Sequence, residues 1–344
     1  MRLLICTQKV DQNDAVLGFM HGWIAEFARH CEAVMVICLE EREHHLPKNV
    51  TVFSLGKESL RLRLKLTYVL NFYRALWRLR GGYDAVFVHM NPEYMLLGGM
   101  FWRFAGIPAA LWYNHKTGGL RARLGIALAR QVFYTSPFAF ASRFKKAKRM
   151  PAGIDTEQFK PEIAKREPRA ILSLGRIDPV KKVEVLIGAL QTLADRGASF
   201  VAHFYGAPTS DENYFKQIQH TAEGLVKRGF LRWFPAVPNN RAAAVYNEHA
   251  LFVSATGTGS FDKAVLEAMA CGVPALSCNA SFRGLVPEEL LFREADSADL
   301  AEKLAELLSK SSEELRHLGA SLREAVIREQ SLSLLVPRVL SALQ

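Results

Sequence analysis

The chain has 344 residues, 49% of them apolar and 23% charged. That length exceeds one ordinary hydrophobic core and fits two domains, and that balance excludes a disordered or fibrous chain. The net charge of +10 is uneven: residues 1–160 hold 23 Lys and Arg against 12 Asp and Glu, and the remainder is close to neutral. A one-sided basic field calls for an anionic partner, such as a membrane surface, an anionic glycolipid or a nucleic acid.

In chain order, the apolar run 3–7 reads as a first strand and is too short for a secretory signal. A loop and the turn Val16-Leu17-Gly18-Phe19 follow it. Further strand-like runs fall at 34–38, 50–54, 85–90, 109–113 and 132–135. Between them, Glu41, Glu43, His44 and His45 form a polar connection before Pro47, which reads as a solvated loop and not as a ligand set. The stretch 60–80 has no Gly or Pro and suits a helix. One stripe of it (Leu62, Leu66, Val69, Leu70, Tyr73, Leu76, Trp77) is expected to face the core. Tyr68 and Phe72 then lie outward beside Arg61 and Lys65, either as an ordinary basic face or as a contact with an anionic bilayer. The stretch 94–113 is nearly long enough to span a membrane, but Gly98-Gly99, Arg103 and Pro108 interrupt it, so a helix followed by a buried strand is expected. Lys145, Lys146, Lys148 and Arg149 make a second basic cluster.

The Lys-rich, Pro-bounded segment 150–168 reads as the domain boundary. Beyond it, strand-like runs recur at 170–175, 200–206, 231–234, 251–255 and 274–277. Strands alternating with helices at this spacing predict parallel sheets covered on both faces. The five cysteines (Cys6, Cys31, Cys38, Cys271, Cys278) lack metal-ligand spacing and read as reduced thiols of a cytoplasmic protein. No zinc spacing, helix-turn-helix signal or RNA-recognition motif supports nucleic-acid binding.

Two constellations carry the chemistry. The strand 170–175 runs into Gly175-Arg176-Ile177-Asp178-Pro179-Val180-Lys181-Lys182 and then a helix. This puts Arg176 and Lys181 beside a positive helix end, where they suit a diphosphate; as solvated loop cations they would need no ligand at all. The strand 251–255 runs through small residues into Gly259-Ser260-Phe261-Asp262-Lys263-Ala264-Val265-Leu266-Glu267-Ala268-Met269-Ala270-Cys271-Gly272-Val273-Pro274. Ser260 or Asp262 can cap the helix, and Gly272 with Pro274 stops it. A strand end facing a helix N-terminus is where open α/β sheets bind phosphates and sugars. Glu267 lies inside an apolar stretch and needs a partner, for which vicinal ribose hydroxyls are suited.

The segment 259–274 resembles the donor-site signature of family 4 retaining glycosyltransferases. Gly175-Arg176 with Lys181 resembles that family's diphosphate element, and Gly153-Ile154-Asp155 through Phe159-Lys160-Pro161 resembles its interdomain segment. The resemblance implies a GT-B fold: two Rossmann-like, doubly wound parallel-sheet α/β domains facing a central cleft. Residues 1–155 would bind the acceptor, 156–329 the nucleotide sugar, and a last helix at about 330–344 would pack back on the first domain. It further implies that Glu267 holds the ribose, that Arg176 and Lys181 stabilise the leaving diphosphate, and that His115 lies near the donor sugar. His89 and Asn91 are weaker candidates. Gly18, Gly206, Val237, Ser260, Phe261, Asp262, Lys263 and Leu266 complete the implied donor site, and the implied co-substrate is a UDP- or GDP-sugar, with no cofactor and no metal.

Two departures stand out. The family usually carries a pair of glutamates eight positions apart, and Gly259 occupies the first position; Lys182 stands where glycine is usual. Asp262 could supply the missing carboxylate, or serve only as a helix cap. The implied activity is metal-independent, retaining hexosyl transfer to a glycan or lipid-linked acceptor in polysaccharide or glycolipid synthesis, on the cytoplasmic side and at the membrane periphery. The alternative is a nucleotide-sugar-binding protein that has lost transfer.

Overall fold

The structure is a computed structural model that describes residues 1–59, 65–162, 166–208 and 211–344. The chain divides into two compact units: Met1–Gly153 with Leu332–Gln344, and Ile154–Ser331.

The first unit contains β1 (Arg2–Val10), α1 (Phe19–His30), β2 (Ala33–Glu41), β3 (Val50–Ser54), α2 (Lys65–Leu79), β4 (Ala85–His89), α3 (Pro92–Phe104), β5 (Ala109–Trp112), α4 (Leu120–Leu128), β6 (Gln131–Tyr134) and β7 (Ala147–Arg149). Among the described residues its seven strands are all parallel, in the order β3-β2-β1-β4-β5-β6-β7. Successive strand side chains point to opposite faces, so β1 sends Leu3 and Ile5 into one core and Leu4 and Cys6 into the other. The first core is covered by α1 through Trp23 and Phe27, together with Leu335, Val336 and Val339 from near the chain's end. Trp23 donates its indole N–H to the Gly153 carbonyl (2.8 Å). The second core is covered by α2, α3 and α4 through Phe72, Leu76, Trp102 and Ile126.

The second unit contains β8 (Glu167–Leu174), α5 (Val183–Asp195), β9 (Val201–Tyr205), α6 (Glu212–Thr221), α7 (Glu223–Lys227), β10 (Leu231–Phe234), α8 (Asn239–Asn247), β11 (His249–Ser254), α9 (Lys263–Ala270), β12 (Ala275–Ser277), α10 (Ser297–Ser309) and α11 (Ser312–Gln330). Among the described residues its five parallel strands run β10-β9-β8-β11-β12. Leu251, Phe252 and Val253 are buried, as the uninterrupted apolar run of a strand covered on both faces requires. A final helix, α12 (Leu332–Leu343), belongs to the first unit, where it packs on α1.

One expectation is overturned for most of its residues, though Leu76 is buried as expected. On α2, Phe72 is fully buried, and Leu76 and Leu79 join it, while Tyr68 packs against the same core. Leu66, Leu70, Tyr73 and Trp77 are exposed instead. The stripe 72, 76, 79 meets the sheet because it fills the space beside Trp102 and Tyr94. Neither Tyr68 nor Phe72 therefore presents an aromatic ring outward. Arg61, along with Leu62 and Arg63, lies outside the described residues, and Lys65 is exposed. The stretch 94–113 resolves into α3 and β5, and among the described residues no helix is long and apolar enough to cross a membrane. β7 was not expected: it lies within the basic cluster 145–149.

Candidate functional site

In an open parallel sheet, the crevice for ligands lies beyond the strand C-termini where strand order reverses. In the second sheet that point is between β8 and β11. The loop after β8 begins at Gly175, whose φ of +146° favours glycine. Gly175 donates its N–H to the Tyr205 carbonyl (3.0 Å), which aligns this loop with the one after β9. The two approach closely at Gly206: a Cβ there would lie 2.1 Å from the Gly175 carbonyl oxygen. Arg176 follows, half-exposed, with Asp178 at 3.5 Å from one guanidinium nitrogen. Lys181 closes a short 3₁₀ turn, Pro179–Lys181. Lys182 caps α5 in the left-handed region (φ +47°), a conformation that costs a non-glycine residue roughly 1 kcal/mol.

The loop after β11 meets this one through an ion pair. The Lys181 ammonium lies 2.9 Å from an Asp262 carboxylate oxygen, which also accepts from the Ser254 and Thr256 hydroxyls at 2.7 and 2.8 Å. The other Asp262 oxygen accepts from the Ala264 N–H and so caps α9. Burial alone would raise the Asp262 carboxyl, but the Lys181 charge and these hydrogen bonds outweigh it and hold the carboxyl at about 2. Asp262 is thus ionised and engaged on every side by its own chain. Gly175, Arg176, Lys181, Tyr205 and Ser254 line one pocket at these strand ends.

Glu267 is buried one turn into α9. Its carboxylate accepts from the Tyr246 hydroxyl (3.1 Å) and the Asn239 amide (3.2 Å) of α8. Burial raises its pKa, opposed by Lys263 one helical turn earlier, and burial lowers that of Lys263. A carboxylate offers about four acceptor positions, so these two bonds leave capacity for a ligand hydroxyl. Leu266 and Phe261 are buried, Phe261 edge-to-face on Phe282 (5.0 Å). Ser260 is exposed, and its carbonyl accepts from Asn279 (2.8 Å). Val237 is half-buried in the loop after β10.

A further carboxylate enters this loop from the segment before α10. Glu294 pairs with Lys182 (2.8 Å) and accepts from the Thr258 N–H (3.3 Å). A Cβ on Gly257 would lie 2.3 Å from it, so glycine there leaves the room it occupies. The sequence reading missed Glu294, Ser254, Thr256, Asn239 and Tyr246. Only the last two left a signal: a seven-residue spacing that puts both on one face of α8.

Two candidates belong to the first unit. Gly18 is buried at the start of α1, where its N–H donates to the Asp14 carbonyl (3.1 Å), and its φ is an ordinary −56°. His115 is exposed after β5, its ring edge-to-face with Tyr113 (5.2 Å) and its carbonyl accepting from the Phe140 N–H (2.8 Å). His89 is buried between Phe19 and Trp23, and Asn91 precedes α3. All five cysteines are free and buried. Among the described residues, no group of three or more His, Cys, Asp and Glu could hold a metal ion.

Residues 154–324 match the family model described as glycosyl transferases group 1. No curated protein matches the chain by sequence. Solved structures align along the whole chain. Anabaena Alr3699/HepE in complex with UDP and glucose has a TM-score of 0.78 at 15% identity, covering 100% of this chain and 99% of that one. Sucrose-phosphate synthase from Thermosynechococcus elongatus has a TM-score of 0.75 at 17% identity, covering 99% and 98%. The lipopolysaccharide outer core galactosyltransferase WaaB, in its apo form, has a TM-score of 0.67 at 15% identity, covering 99% of both chains. Residues 154–324, within the second unit, thus match the glycosyl transferases group 1 model, and the chain's two parallel-sheet units have the GT-B fold.

Proposed function

We propose that this chain is a retaining glycosyltransferase that moves a hexose from a nucleotide sugar, bound by the second unit, to a glycan or lipid-linked acceptor bound by the first. The observation that carries the reading is the Lys181–Asp262 pair at the switch point, with Arg176 lining the same pocket as Lys181. A departing nucleoside diphosphate gains negative charge as the bond from C1 to its phosphate oxygen breaks. Fixed cations aimed at that oxygen stabilise the charge without reorganising. Arg176 and Lys181 do so here with no divalent ion in the scheme. The acceptor oxygen bonds C1 on the face the phosphate leaves, and its proton passes to a phosphate oxygen, so no strongly basic side chain is called for.

Glu267, fixed by Tyr246 and Asn239, takes the ribose hydroxyls. The Ser260, Phe261 and Asp262 backbone meets the sugar, with Gly206 and Val237 beside the nucleotide. Lys263 and Leu266 set the first turn of α9, and Gly18 and His115 are the candidates of the first unit. Asp262, already engaged, acts by positioning Lys181. Glu294 then supplies the carboxylate that Gly259 cannot, on a sugar hydroxyl. The bound UDP of the Anabaena structure supports a uridine nucleotide as the first trial. Free thiols throughout support a cytoplasmic setting, and a polysaccharide or glycolipid product fits the basic first unit.

Calorimetry with UDP and with UDP-glucose in EDTA tests the reading, together with product analysis by mass spectrometry. Micromolar binding that Arg176→Ala weakens at least about ten-fold, corresponding to one lost charge-assisted contact, is expected. No nucleotide sugar binding in any base series would overturn it. Gly259 favours one second reading, a nucleotide-sugar-binding protein without transfer. Donor binding with neither product nor slow donor hydrolysis would establish that reading instead.

A further inference from the structure

The outer surface of α2, α3 and α4 is apolar and basic at once. On α2, Leu66, Leu70, Tyr73 and Trp77 recur at positions 66, 70, 73 and 77, one face of a helix, and Leu66 and Trp77 are 68% and 69% exposed. On α3, Phe104 is 82% exposed, and on α4, Leu120 is 70% exposed. The three helices cover the same side of the first sheet. The Tyr73 hydroxyl donates to the Leu97 carbonyl (3.1 Å) and holds α2 against α3. These exposed side chains therefore belong to one helical layer on one side of the first sheet.

The charges on that surface are mostly of one sign, with Glu93 beside Arg121 (3.5 Å) the exception. Residues 65–130 hold nine Lys and Arg against only Asp84 and Glu93. Arg74, Arg80, Arg103 and Arg123 are exposed among the apolar side chains. The Arg80 guanidinium lies over the Trp77 ring, 4.1 Å from its centroid. Arginine beside tryptophan with aliphatic and aromatic neighbours suits the boundary between headgroups and acyl chains, where the ring enters and the cation stays at phosphate level. A protein partner of ordinary composition would leave this cationic excess unbalanced, whereas an anionic bilayer balances it over its whole area.

We propose that this face seats the protein on an anionic lipid surface, with Trp77 and Phe104 inserted and the four arginines on the headgroups. The contact is peripheral, because among the described residues no helix is long and apolar enough to cross. It lies on the face of α2 opposite Phe72, and does not depend on the donor-site reading.

The test is sedimentation of the full chain with vesicles of phosphatidylcholine alone and with 30% phosphatidylglycerol (about 30%, enough for a negative surface). Binding to the anionic vesicles only, weakened by salt, is expected. Arg74→Glu with Arg103→Glu should weaken partition at least about 25-fold, from roughly five-fold per charge. Trp77→Ser with Phe104→Ser should weaken it at least about ten-fold. Both positions are exposed, so thermal unfolding of that variant should match wild type and show that folding is intact. Absence of binding to anionic vesicles would overturn the proposal, as would equal binding by the Trp77/Phe104 variant. So would self-association in sedimentation velocity that this variant abolishes while vesicle binding is absent, because a second copy would then cover the face.

Discussion

Asp262→Asn isolates one charge in the candidate site. Asparagine keeps the size, and its one amide oxygen can accept either from Ser254 and Thr256 or from the Ala264 N–H that caps α9. What it loses is the charge facing Lys181 at 2.9 Å. A carboxyl held at about 2 in the folded chain, against an ordinary 3.8, favours folding by roughly 2.5 kcal/mol at neutral pH. The sign follows from the depressed folded value: the contribution is complete above the unfolded pKa and is lost as pH falls through the folded one. It should fall to roughly 1.3 kcal/mol at pH 3 and vanish near pH 1. Urea unfolding followed by far-ultraviolet circular dichroism, wild type against variant at pH 7 and pH 3, reads this directly. A difference below about 0.5 kcal/mol at pH 7, or one of equal size at both pH values, would refute the reasoning.

Two further outcomes follow from the geometry. Phe72→Ala should cost about 3–5 kcal/mol in unfolding free energy and Trp77→Ala less than about 0.5, the reverse of what the hydrophobic pattern of α2 suggests; equal costs in a urea titration would contradict the burial described above. Gly206→Ala forces a Cβ against the Gly175 carbonyl, so one of the two loops must move, and UDP affinity measured by calorimetry should drop about ten-fold or more.

The strands were legible because a parallel strand covered on both faces is an unbroken apolar run, as at Leu251, Phe252 and Val253. β7 was not, because it sits at the sheet edge, where Lys148 and Arg149 can stay in water. The face of α2 was misread for a different reason. Leu66, Leu70, Tyr73 and Trp77 make a larger apolar stripe than Phe72, Leu76 and Leu79, and only packing against Tyr94 and Trp102 decides which stripe is inward. In the site, Arg176, Lys181 and Glu267 could be found because strand ends and helix starts mark them. The long-range pairings could not: Lys181 meets Asp262, itself a candidate, from 81 residues away, and Lys182 meets Glu294 from 112. Long-range pairs of this kind leave no local spacing to read.

The return of α12 sets the order in which the chain can assemble. The core that Trp23 and Phe27 begin is closed by Leu335, Val336 and Val339, so the second unit, Ile154–Ser331, is an insertion within the first. Domains generally fold in the order in which they leave the ribosome. Here the unit that begins first is completed last: until residues 332–344 are made, the apolar surface of α1 lacks its cover, while the inserted unit already has every strand it needs.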